Sequence, residues 1–263
     1  MDDDGERASG RQGHRDGWTG EEVRWRQDGR QPHQPLLIRA SPREPRAAVL
    51  LLHGGQEDGL GRPMPLNPPA LRMRPFARAI GRRTAGYGVA LGEVRYRHRG
   101  WNGSRADAVP DARAAIEEFA AAVGPVPLIL VGHSMGARAA LRLGGHPGVR
   151  AVIGLAPWCP EDEPVTHLAG ASVVLVHSDR DRITNPAGSL RFAVRAREAG
   201  AEVCRLVVPG SDHAMLRRAG VWHTLAAGLV AGFLGIGELP PHVVRALAGP
   251  VGETGGSGLS CRV

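Results

Sequence analysis

In Gly132-His133-Ser134-Met135-Gly136 a serine has a glycine two places before it and another two places after it. The apolar run Leu128 to Val131 precedes this stretch, and Ala137 to Leu143, with helical patterning, follows it. A chain that passes from a buried strand straight into a helix must turn sharply, and neighbours without side chains are what allow it. The serine hydroxyl then projects from the tip of the turn. Glycine makes up 37 of the 263 residues, so the pentapeptide alone is a modest signal. The strand before it and the helix after it give it weight.

Serine is a poor nucleophile at its own pKa and needs a base, which in turn needs a carboxylate to orient it. Two stretches downstream supply both types. "VVLVHSDRD" sets Asp179 and Asp181 just past one apolar run, and "VVPGSDHAM" sets His213 just past another. If the runs are parallel strands, Ser134, an aspartate and His213 all stand at carboxyl ends, where open α/β sheets build their sites.

The rest of the chain provides such a frame. Short apolar runs alternate with helical patterns, which predicts a mostly parallel sheet with helices on both faces. The predicted strands are "EVRWRQ" and "PLLIRA" as an antiparallel opening pair, then "AAVLLLHG", "GVALGEVRY", "PLILVGH", "AVIGLAP", "SVVLVHS" and "EVCRLVVPG". Ala47 to Leu52 has no polar interruption, as expected of a strand covered on both faces. Helices are predicted over Leu71 to Arg83, Asp107 to Val123, Gly136 to Leu143, Ala187 to Ala199 and Ala219 to Leu234. Only thirteen residues, Cys159 to Ala171, separate "LAPW" from the following strand, too few for an inserted helical cap. One domain over 21–239 is expected, with a disordered segment at 1–20 and a flexible tail at 240–263.

The formal charge is +7, and every basic residue is arginine. The arginines are scattered among acidic residues, and no zinc-finger or RNP-like spacing is present. Charge alone supports non-specific attraction only, so no specific nucleic-acid partner is expected. Cys159, Cys204 and Cys261 are far apart and odd in number, which argues against a disulfide framework. The acidic opening "MDDDGERASG" has no apolar core, and no run approaches a membrane-spanning length. A cytoplasmic location without a membrane partner is expected.

Together, Leu51-Leu52-His53-Gly54-Gly55, the Gly132 to Gly136 turn, His177-Ser178-Asp179-Arg180-Asp181 and Ser211-Asp212-His213 resemble the α/β-hydrolase superfamily. The likeness is to its cap-less, dienelactone-hydrolase-like serine esterases, and it runs from about Glu21 to Leu234. The resemblance implies a single α/β-hydrolase domain without a cap, with Ser134 as nucleophile, His213 as general base and Asp181 as the acid of the triad. The family pattern has glycine where this chain has Ser178. The resemblance also implies an oxyanion hole from the backbone N–H groups of Gly55 and Met135, with Gln56 as an alternative donor. The expected substrate is a small ester, lactone or thioester, with no cofactor and no metal.

Other residues have plainer roles. His53 and His133 flank turns and read as packing or turn-stabilising groups, His146 as a loop residue, and His223 as part of the last long helix. Trp101 and Asn102 read as a tight turn with a packed indole, while Trp158 is placed to line a pocket. Two other functions are open to such a sequence. A metallohydrolase could draw on His177, Asp179, Asp181, Asp212 and His213, but no compact ligand motif is present and Ser134 goes unexplained. A non-catalytic binding protein of the same fold is the other.

Overall fold

A computed structural model describes residues 33–64, 66–249 and 258–263. Its centre is one eight-stranded sheet: β1 (Leu36–Ala40), β2 (Ala47–Leu52), β3 (Val89–Val94), β4 (Leu128–His133), β5 (Val149–Leu155), β6 (Ser172–Ser178), β7 (Glu202–Val208) and β8 (Ser260–Arg262). The spatial order is β1-β3-β2-β4-β5-β6-β7-β8. Only β1 runs antiparallel, against β3; the other pairings are parallel. The strand predicted at "EVRWRQ" lies outside the described residues, as does the segment 1–20.

Six helices connect the strands: α1 (Pro68–Arg83), α2 (Ala108–Val123), α3 (Met135–Arg142), α4 (Pro186–Glu198), α5 (Ala219–Phe233) and α6 (Pro241–Leu247). Prolines open α1, α4 and α6, where a missing N–H costs nothing because first-turn donors have no helical partner. The central strands are mostly apolar on both faces because both are covered. In β2, Ala48, Leu50 and Leu52 face a layer holding Phe119, Leu141 and Phe192 of α2, α3 and α4. Val49 and Leu51 face the opposite layer, with Phe76 and Ile80 of α1 and Trp222 and Val230 of α5.

The expected C-terminal tail is corrected by the structure. Residues 241–247 form α6, whose Val243 and Ala246 are buried. The last strand, β8, pairs parallel with β7, from Arg205 against Ser260 to Val207 against Arg262. Two forces hold these segments. Leu259 is buried within the first layer, and β8 covers the otherwise open edge of β7. The guanidinium of Arg197 on α4 also donates to the carbonyl oxygens of Val203 and Ala246, tying α6 to the sheet.

Between β5 and β6 the described chain makes only a single 3-10 turn, Thr166–Leu168, so no cap rises above the sheet there. No helix among the described residues is long and apolar enough to cross a membrane.

Candidate active site

Ser134 sits where β4 gives way to α3, with φ 53° and ψ −117°. This is a region that side-chain-bearing residues rarely adopt. The flanking glycines are required by contact. A Cβ on Gly132 would stand 2.5 Å from the Cα of Ala137, and one on Gly136 would stand 2.3 Å from the carbonyl oxygen of Leu52. Six described non-glycine residues have positive φ: Asn102, Ala106, Ser134, Ala156, Met215 and Arg218. All six lie on connections that leave the carboxyl ends of β3, β4, β5 and β7, so the backbone strain gathers at the end of the sheet that bears Ser134.

The sequence-predicted trio converges. Ser134 Oγ is 3.1 Å from Nε2 of His213, and Nδ1 of His213 is 2.8 Å from Oδ2 of Asp181. An ionised Asp181 only accepts, so Nδ1 of His213 carries the proton and Nε2 accepts from the serine hydroxyl. Asp181 is buried beside the end of β6. Burial works against its charge, but hydrogen bonds from His177, His213 and the amides of Ile183 and Thr184 outweigh it and hold the carboxyl well below its usual range. Asp179 lies elsewhere, accepting from the Gly210 amide at 2.7 Å and from Arg262 at 3.2 Å.

The His213 loop is fixed from several sides. Asp212 accepts from the amides of Leu216 and Arg217 at 3.0 and 3.2 Å. Ser211 Oγ accepts from the indole N–H of Trp222 at 2.7 Å and donates to the Arg217 carbonyl at 2.7 Å. His133, one residue before Ser134, donates from Nε2 to the backbone carbonyl of His213 at 3.0 Å. Its ring lies 5.0 Å from the His213 ring. Burial, then the neighbouring His213 charge, pushes the His133 pKa down to about 3, so this ring is neutral. His53 plays a packing role, edge-on to Tyr96 at 4.6 Å, and burial lowers its pKa too.

Gly54 and Gly55 lie against the serine turn. A Cβ on Gly54 would meet Cβ of Ser134 at 3.4 Å, and one on Gly55 would meet the Met135 side chain at 2.5 Å. Gln56 is corrected as an alternative amide donor. Its backbone N–H is taken by the Arg99 carbonyl at 2.9 Å, and its own carbonyl accepts from Trp101 N–H at 2.9 Å. Both ends of the peptide are committed to the β3–α2 connection.

Trp158 is half-buried next to the turn, its backbone N–H 3.4 Å from the Ser134 carbonyl. Its indole is occupied by packing. The Arg138 guanidinium sits 4.3 Å from the Trp158 ring and 4.0 Å from the Trp101 ring, and it donates to the buried Glu163 at 2.5 Å. A desolvated cation–π contact of this kind contributes about 2 kcal/mol. It binds the β5–β6 connection to α3. Trp101 is buried, and Asn102, at φ 63°, ties its turn to Gly59 and Asp107.

Two residues of the site escaped the sequence reading in their actual roles. Thr184 Oγ1 donates to Asp181 Oδ2 at 2.9 Å and stands 3.2 Å from Nδ1 of His213. His177, fully buried on β6, lies with Nε2 3.1 Å from the same Asp181 oxygen. The Asp-x-x-Thr spacing, a common side-chain-to-backbone turn, was a legible signal for the first. Among the described residues, no three His, Cys, Asp or Glu side chains form a group that could hold a metal ion.

No family model matches the chain, and no curated protein matches it. Solved structures do. A protein of unknown function from Agrobacterium tumefaciens, provisionally described as an α/β hydrolase, aligns with TM-score 0.59 and 15% identity, covering 78% of this chain and 93% of that one. An α-β serine hydrolase homologue from Coxiella burnetii aligns at 0.56 and 17%, covering 74% and 91%. The propionate-bound thermophilic esterase Est2 from the Planctomycetes species Thermogutta terrifontis aligns at 0.55 and 21%, covering 78% and 90%.

Proposed function

On the α/β-hydrolase fold, which these likenesses establish for this chain, we propose that the protein is a serine hydrolase that cleaves a small ester, lactone or thioester through an acyl-enzyme. One observation carries this reading: the unbroken line from Ser134 Oγ to His213 at 3.1 Å and on to Asp181 at 2.8 Å, set on a strained turn.

The geometry supports the following proposed steps. Nε2 of His213 takes the Ser134 proton as Oγ bonds to the carbonyl carbon of the substrate. The carbonyl π electrons move to oxygen, giving a tetrahedral oxyanion. The N–H of Met135, the first residue of α3, has no helical acceptor, and its side chain packs against Gly55. The amides of Met135 and Gly55 are therefore the proposed donors to the oxyanion. Collapse of the intermediate expels the alcohol or thiol, which leaves with the proton from His213. Water then gives a proton to His213 and attacks the acyl carbon. Ser134 leaves with that proton as the acid departs.

The short β5–β6 connection supports a small acyl group, because nothing there encloses a long apolar chain. That a structural neighbour is an esterase with propionate bound agrees with this reading. The test is intact-protein mass spectrometry after fluorophosphonate treatment, paired with an ester panel of graded acyl length. One adduct, absent in Ser134→Ala, and faster turnover of acetyl and butyryl than of long-chain esters are expected. An adduct that persists in Ser134→Ala overturns the assignment.

A further inference from the structure

We propose that His177 is a positioning residue: its Nε2–H occupies the same oxygen of Asp181 that His213 uses, and so limits the negative charge on which His213 can draw. The proposal deepens the serine-hydrolase reading above and rests on it for its consequence in catalysis.

The protons facing Asp181 in this cluster can be assigned. Arg205 of β7 can only donate, and its Nε lies 3.1 Å from Ser189 Oγ of α4. Ser189 therefore accepts from Arg205 and has one proton to give. It lies 2.9 Å from Nδ1 of His177 and 2.9 Å from the Pro186 carbonyl. Pro186 already accepts from Nη2 of Arg205 at 3.1 Å. At its other nitrogen, His177 faces Oδ2 of Asp181, an acceptor only. Nε2 must therefore carry the proton; in the neutral ring Nδ1 then accepts, and the Ser189 hydroxyl is shared between it and the Pro186 carbonyl.

His177 is a neutral donor rather than a second cation. Burial lowers its pKa, and this outweighs the raising effect of Asp181; the Arg205 and His213 charges act in the same direction as burial. Asp181 then serves five donors. Oδ2 takes His213, His177 and Thr184, and Oδ1 takes the amides of Ile183 and Thr184 at 2.8 and 3.0 Å. Each donor draws off part of the carboxylate charge. The two whose loss would be felt most by His213 are those on its own oxygen, and of these His177 is the one anchored outside the Asp181 loop. The groups facing His213 are thus Asp181 and Thr184 from the β6–α4 connection, His177 from β6, the neutral His133 from β4 and the Ser134 hydroxyl.

Removing the His177 N–H should strengthen the field of Asp181 at His213 and favour the imidazolium. The experiment reads the pH at which the His213 ring takes up its second proton, by nitrogen-15 histidine spectra of the full chain, beside the acid limb of kcat/KM for a short-chain ester. In His177→Phe both should move up by about half a unit to one unit. In His177→Gln, whose side-chain N–H reaches toward the Nε2 position, both should return close to wild type. A merely structural role would change stability and leave the protonation pH in place. A folded His177→Phe with an unmoved His213, or a His177→Gln no different from His177→Phe, overturns the proposal. If His177→Phe does not fold, His177→Leu carries the test: it too removes the N–H facing Asp181, and an unmoved His213 there is equally fatal. Failure of fluorophosphonate to label wild-type Ser134 would instead overturn the hydrolase reading, and the spectra would still decide the role of His177.

Discussion

The carboxylate of Asp181 stands 2.8 Å from Nδ1 of His213, whereas Asp179, two residues earlier, bonds to Gly210 and Arg262 instead. The two aspartates therefore have separable effects. Asp181→Asn leaves the imidazole of His213 facing a group that can donate, which favours the wrong tautomer. In a comparable triad this substitution lowers kcat by roughly 10⁴. Asp181→Asn is expected to lose activity on that scale while folded, and Asp179→Asn to lose about tenfold or less. Steady-state kinetics on a short-chain ester, with circular dichroism to establish folding, checks both.

Ser134 holds a backbone conformation that suits glycine. Ser134→Gly is therefore expected to be inactive yet more stable than Ser134→Ala by about 1 kcal/mol, since strained φ/ψ values cost of order 1–3 kcal/mol. Urea unfolding of the two variants measures the difference. Equal midpoints would mean that the turn is not strained.

Acid should destabilise the fold through buried neutral histidines. His133 has a folded pKa of about 3 against an ordinary value of 6.5. The unfolded state therefore binds a proton first as pH falls. The contribution of His133 is fully present above about 6.5, falls as pH drops, and levels off near 3. His53 and His177 are lowered too and act with the same sign. Unfolding free energy should fall with decreasing pH between 6 and 4, by up to about 1.4 kcal/mol per pH unit from His133, with His53 and His177 contributing in the same direction. His133→Gln should flatten that slope in a urea series run across pH.

A chain ending at residue 249 loses Leu259 from the core and uncovers the edge of β7. It also takes Ser260, 2.9 Å away, from Nη1 of Arg205. Burying a leucine side chain is worth about 1.5–3 kcal/mol. The truncated protein is expected to melt several degrees lower and to aggregate on warming, as scanning calorimetry and light scattering would show. An unchanged melting temperature would mean that β8 contributes nothing.

Much of this molecule was legible before any coordinates. Strand β2 was legible because a doubly covered parallel strand is apolar without interruption, and α2 because Val109, Ala112, Ile116 and Phe119 recur at helical spacing. Ser134 and His213 could be read because glycine-flanked turns at strand ends leave few places for a side chain to go. Asp181 was less determined by pattern, since Asp179 precedes it in the same loop; its contacts with His213 and the amides of Ile183 and Thr184 show which carboxylate turns inward. Strand β8 was hidden. Its three residues, Ser260 to Arg262, are too few for a periodic signal and follow a stretch rich in glycine. The role of His177 was hidden for another reason. A histidine inside an apolar strand gives no sign of its partner, which here depends on Ser189 and Arg205, both from later elements.

The close fit of Gly136 against the Leu52 and His53 carbonyls has a kinetic side. The serine turn cannot take its final shape until β2 lies beside β4, and these strands are separated in the chain by α1, β3 and α2. Such long-range parallel pairing is slow to form. During refolding from denaturant, helical signal should therefore return first, and the ability of Ser134 to react with fluorophosphonate should lag behind it.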